Sequence, residues 1–228
     1  MAEMNIQFTW LLLMFAMVVA VIAQIRVSSA FNKFSKVRTR RGLTGAEVAQ
    51  EILADAGIHD VEVLRTESFL GDHYDPSKKQ LCLSPGVFDS ESVAAVGIAA
   101  HESGHAIQHQ HAYAPLKVRM AVVPATMFAS RLLPIAVIGG LYLHIMGFIT
   151  LGIAVYAILT AFQLITLPVE FDASRRAKQI LSRSGAVTID EAVGVNKVLN
   201  AAALTYVAAL LTSLFYLLHF LAMRDSRR

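Results

Sequence analysis

Three long apolar runs alternate with two polar pieces along the chain. The first run, from about Phe8 to Ile25, holds 18 residues without a charge, close to the minimum for a membrane-spanning helix. Ser28 and Ala30 would suit a signal-peptide cleavage site. However, no positive charge precedes the apolar core, where Glu3 is the one charged residue. Behind the run stand Arg26, Lys33, Lys36, Arg38, Arg40 and Arg41, with no acidic residue among them. Cations beside a span are retained in the cytoplasm, so the run is expected to be an uncleaved anchor with its N-terminus outside.

The second run, from about Met120 to Pro168, is 49 residues with Arg131 as its only charge. A single helix of that length, at about 1.5 Å per residue, would far exceed a hydrocarbon core of about 30 Å. Two helices joined near His144 to Gly147 are expected instead. Arg131 then faces protein inside a span, snorkels to an interface, or marks the end of a surface helix. The third run, Leu199 to Met223, is uncharged and is followed by Arg224, Arg227 and Arg228. With four spans this basic tail falls outside, against the charge rule, and the larger cluster after the first span is expected to dominate.

In the first polar piece, Thr44-Gly-Ala-Glu47 predicts a capping box opening a helix that stops at Gly57. Val61 to Arg65 and Gln80 to Ser84 alternate apolar and polar positions and predict two half-buried strands, with turn chemistry at Gly71 to Pro76 between them. A helix is expected from Asp89 or Ser90 to about Gln110. The second polar piece, residues 169–198, predicts a helix, a turn at Ser184-Gly185 and another helix.

Composition agrees with a bilayer protein. Of the 228 residues, 55% are hydrophobic and 16% charged, where a soluble domain carries about a quarter charged. Mean hydropathy is +0.53. The net charge of +3, with no basic run interleaved with aromatics, argues against nucleic acid as a partner. Cys82 is the only cysteine, which excludes an internal disulfide and a cysteine-based zinc cage and leaves a half-buried thiol.

His101-Glu-Ser-Gly-His105 is an HExxH sequence inside the expected helix. Residues four apart share a helix face, so both imidazoles reach one metal from the same side. Glu102 lies about 100° round from His101, placed to take a proton from a water on that metal as general base. Zn2+, one per chain, is therefore the expected cofactor. The small apolar run Val93 to Ala100 lets the helix bury in a core while its histidine face opens to a cleft.

A catalytic zinc needs a third protein ligand. His111 completes a near-metzincin spacing, but Gln108 stands where that motif needs glycine to turn the chain back. Glu170 follows the second apolar run, and two spans between it and His105 put both on one membrane side. The topology therefore allows Glu170 to be the ligand; His109 and His111 are expected at a solvated helix end, and His59, His144 and His219, with no partner evident in the sequence, are read as structural. Asn200 and Tyr206, at the start of the last span, are candidate oxyanion donors, with helix packing as the alternative.

The motifs Asp72-His-Tyr-Asp-Pro76, Leu83-Ser-Pro85, Ala99-Ala-His-Glu-x-Gly-His-Ala-Ile-Gln108, Leu167-Pro-Val-Glu-Phe-Asp-Ala-Ser174 and Val198-Leu-Asn-Ala-Ala-Ala-Leu-Thr-Tyr-Val207 resemble those of bacterial YugP-type membrane zinc metallopeptidases. The resemblance covers nearly the whole chain. It implies an integral protein of the bacterial cytoplasmic membrane, similar in layout to the HtpX and CAAX-type gluzincins. In those relatives the third ligand is a Glu followed four residues later by Asp. Glu170 matches the ligand, whereas the position four on is Ser174 and the acid is Asp172, two residues on and off the ligand's helix face.

The expected fold is mainly α: about four transmembrane helices and a small α+β cytoplasmic zincin-like domain carrying HExxH on a helix. The expected division is an anchor in residues 1–25, the zincin-like domain in 26–119, a two-helix membrane hairpin in 120–168, a cytoplasmic helical segment with the third ligand in 169–198, and a last membrane helix and tail in 199–228. The expected function is a membrane-bound endopeptidase acting on membrane-associated or misfolded polypeptides at the cytoplasmic face. The polar stretch around Glu91, Glu102 and Gln108 argues against HExxH within a span, as an intramembrane site-2 type protease would have it. A zinc-binding scaffold without catalysis is the alternative, and it would have no use for Glu102.

Overall fold

A computed structural model describes residues 6–67 and 71–226; Glu3, Arg227 and Arg228, which entered the topology reading, lie outside the described residues. Among the described residues, seven helices and three strands follow in order: α1 (Ile6–Phe34), α2 (Gly45–Asp55), β1 (Glu62–Arg65), β2 (His73–Asp75), β3 (Gln80–Leu83), α3 (Pro85–Phe88), α4 (Val93–Gln110), α5 (Ala114–Ala136, prolonged by a π-helical stretch Val137–Tyr142), α6 (Met146–Arg183) and α7 (Ile189–Asp225). Four of the helices, α1, α5 with its prolongation, α6 and α7, are long and apolar enough to cross a membrane. The turn between the second and third falls at residues 143–145, within a residue or two of the expected place, with His144 at φ +56°.

The chain forms two compact units: Met1–Gln24, Val118–Leu167 and Leu204–Arg228 make one, Ile25–Lys117 and Pro168–Ala203 the other. In the first, Ile149, Tyr156, Phe220 and Met223 are buried together, with Tyr156 stacked on Tyr216 at 4.9 Å between ring centres. His219, read from sequence as lacking partners, has two: its Nδ1 lies 2.8 Å from the Thr9 hydroxyl, and Trp10 meets its ring at 4.7 Å between centres. Arg131 is exposed on α5, and the helix continues past it, so it neither faces protein nor ends a surface helix.

In the second unit the capping box forms as read: the Thr44 hydroxyl accepts from the Glu47 amide, and the Glu47 carboxylate accepts from the Thr44 amide. Gly57, at φ +67°, ends α2 in the left-handed conformation that only glycine adopts without strain. The two expected strands are present, but they run parallel and a third strand joins them, in order β1-β3-β2. β2 lies within the segment read as turn chemistry. It is only three residues long, too short to display a period of two, and Asp72 beside it accepts hydrogen bonds from the amide and hydroxyl of Ser84.

Two helix boundaries also differ from expectation. The helix expected from Asp89 or Ser90 is preceded by the short α3, and α4 begins only at Val93, where Ser92 caps it through the Ala95 amide. Residues 169–183 do not open a separate helix after Pro168: α6 runs through that proline without a break. Proline withholds one backbone donor from a helix, which a long helix tolerates. The core of the unit packs Val93, Val96, Ala99 and Ala100 of α4 against Val48, Ile52 and Leu53 of α2, Leu81 and Leu83 of β3, and Ala177 and Leu181 of α6. A fully buried leucine such as Leu181 contributes about 1.5–3 kcal/mol through this burial.

Candidate metal centre

The small residues at the start of α4 bury that end of the helix and leave its next two turns to carry chemistry. His101 and His105 stand on one face, rings 4.8 Å apart between centres and nearly perpendicular at 83°. Glu170 of α6 reaches between them, its Oε2 3.2 Å from Nε2 of His101 and 3.5 Å from Nε2 of His105. One donor atom from each of the three residues lies within 4.8 Å of the others, the one such group of three or more among the described residues. Two imidazoles and a carboxylate match the donor set of a catalytic zinc site and leave a fourth position for water or substrate.

Gly104, between the two histidines, brings the helices together. A Cβ there would sit 2.9 Å from the backbone oxygen of Ala173, nearer than side chains tolerate. Without it, the main chain of α4 rests on the main chain of α6 one turn beyond Glu170.

Glu170 is only 2% exposed. Burial alone would push its carboxyl up, but the hydrogen bonds to His101 and His105 prevail and hold it far below the usual carboxylate range. It is therefore ionised at neutral pH, as a metal ligand must be. Burial alone would lower His105; Glu170, the charge of Glu102 and Gln108 outweigh it and raise the imidazole.

Both histidines are gripped on the side away from Glu170. The Ser174 hydroxyl lies 3.1 Å from Nδ1 of His101. Gln108 places Oε1 3.0 Å from Nδ1 of His105, and its Nε2 donates to the carbonyl of Val169 at 2.8 Å and to Asp172 at 2.9 Å. Asp172 is also paired with Arg175 and Arg176, and Arg176 lies over the ring of Tyr113 at 5.9 Å. Outer hydrogen bonds of this kind orient metal-binding imidazoles.

The other residues singled out in the sequence fall in different places. Glu102 is buried and makes no hydrogen bond to a described residue, which leaves its lone pairs for a water. Asp172 does not touch the histidines; it acts on Gln108. Asn200 is exposed, and its side-chain oxygen accepts from Lys178 at 2.6 Å. Tyr206, half-buried on α7, belongs to the other unit. His111 is exposed at the end of α4 and outside the donor group, and His109 is hydrogen-bonded to the Tyr74 hydroxyl at 2.9 Å. Gln108 entered the sequence reading as an obstacle to a turn and as a polar residue of the helix, not as part of the site. Its spacing of three from His105, on a shared helix face, was the signal that could have assigned it to the site.

Residues 9–225 match the family profile described as "Putative neutral zinc metallopeptidase". The chain is 49% identical over 198 residues, 87% of its length and 88% of the relative's, to the "Putative membrane protease YugP" of Bacillus subtilis (strain 168). No solved structure matches it.

Proposed function

The chain belongs to the neutral zinc metallopeptidase family, and from that premise we propose a membrane-bound endopeptidase in which His101, His105 and Glu170 hold the zinc and Glu102 is the general base. The convergence of the three donor atoms within 4.8 Å carries this reading. When bound there, zinc lowers the pKa of a water towards about 7 and polarises the oxygen of a peptide carbonyl. Glu102 accepts the proton of the water that attacks the carbonyl carbon, and returns it to the amide nitrogen as the C–N bond breaks. Its lack of a hydrogen bond to any described residue suits it to that double task. His101 and His105 keep Nε2 turned to the shared point because Ser174 and Gln108 hold the opposite ring edge.

The substrates proposed are membrane-associated or misfolded polypeptides, cleaved at the cytoplasmic face of a bacterial inner membrane. Two features support this. The six basic residues from Arg26 to Arg41 follow the first apolar run directly, and Glu170 stands two residues beyond Pro168 on α6, the helix that carries the end of the second run.

The test combines zinc content with cleavage of an unfolded reporter polypeptide. Glu102→Gln keeps about one zinc per chain, since it removes a base rather than a ligand, and loses about 10²–10⁴-fold in rate. His101→Ala and His105→Ala lose the metal. Full zinc retention in both histidine variants rejects the reading.

A further inference from the structure

We infer that Gln108 is a positioning residue that fixes the ring proton of His105 on Nδ1 and so directs the Nε2 lone pair to the metal. The inference rests on His105 being a zinc ligand. It follows from the three hydrogen bonds around one fully buried amide.

An amide offers two N–H donors on one side and one oxygen acceptor on the other. The groups facing Gln108 on α6 are the carbonyl oxygen of Val169, at 2.8 Å, and the carboxylate of Asp172, at 2.9 Å. Both present oxygens to the amide, and the Asp172 carboxylate is already paired with the guanidinium groups of Arg175 and Arg176. The reversed amide would set oxygen against two oxygens in a side chain that is fully buried. The –NH2 group therefore faces α6, and Oε1 faces His105 at 3.0 Å. An oxygen can only accept, so Nδ1 must bear the hydrogen whether the ring is neutral or charged. Ser174 imposes no such condition on His101, because a hydroxyl donates or accepts equally well. Gln108 also spans from one proposed ligand to the backbone of the residue preceding another, since Val169 adjoins Glu170.

Zinc affinity, measured by competition with a chromophoric chelator, and nitrogen NMR of histidine-labelled, zinc-free protein in detergent test this. The parent should show a slowly exchanging ring N–H at Nδ1 of His105, held by the Gln108 oxygen. Gln108→Met, similar in size but without the acceptor, should lose that slowly exchanging N–H and bind zinc about 10–100-fold more weakly. Should that variant not fold, exchange of the two groups decides. Gln108→Glu alone sets two carboxylates together and weakens zinc binding, and adding Asp172→Asn supplies a donor to the new carboxylate and recovers most of the loss. An unchanged Nδ1–H signal and parental affinity in Gln108→Met, or no recovery in the double variant, overturns the inference. If His105→Ala itself leaves zinc affinity unchanged, the ligand assignment fails instead, while the NMR signal still reports on Gln108.

Discussion

Ser174 sets its hydroxyl 3.1 Å from Nδ1 of His101, one helical turn along α6 from Glu170, so a single helix face supplies both a candidate metal donor and a hold on another. The resemblance to the gluzincins places an acid at that position. A hydroxyl fills it here, and the nearby acid, Asp172, acts on the other histidine through Gln108.

Ser174→Ala should therefore lower zinc affinity by about 10-fold or somewhat more, the low end of what outer hydrogen bonds contribute. Ser174→Asp should retain the affinity or raise it, because a carboxylate accepts from Nδ1–H. Chelator competition on the two purified variants checks both.

The third ligand separates two architectures. Glu170→Ala should weaken zinc binding severely, whereas His111→Ala, at an exposed helix end, should barely change it. A zinc-loaded structure should place a Glu170 oxygen about 2.0–2.2 Å from the metal. A site completed by His111 with Glu170 turned away would be the contrary result.

At Gly104 even one methyl group is too much. Gly104→Ala should cost about 1–3 kcal/mol by overpacking and push α4 off α6, since the atom it meets is backbone. The melting temperature in detergent should fall, and zinc affinity with it, although no ligand has been touched.

Orientation is accessible because Cys82 is the only thiol. In a Cys82→Ser background, a cysteine introduced at Lys36 should react with an impermeant maleimide only after the cells are opened, and one at Glu3 should react in intact cells. Labelling of position 36 in intact cells would reverse the proposed topology.

Much of this was legible before any coordinates, for identifiable reasons. HExxH, the Thr44 capping box and the split of the long apolar run depend on spacing along the chain, which a sequence displays directly. β2 was hidden because His73 to Asp75 hold turn-forming neighbours and too few residues to alternate. The passage of α6 through Pro168 was hidden because proline more often ends a helix than continues one. The roles of Gln108 and Ser174 depend on which helix lies opposite, and that is decided by a missing side chain at Gly104.

That missing side chain also bears on how this site can change over generations. The separation of α4 and α6 beside Glu170 is set by main-chain atoms, the Gly104 backbone against the Ala173 oxygen. Substitution cannot remove a carbonyl, so sequence drift elsewhere on the two helices leaves the ligand spacing intact. Position 104 has no such latitude: a random library selected for zinc should return glycine there almost alone, while the apolar positions around it exchange freely among residues of similar size.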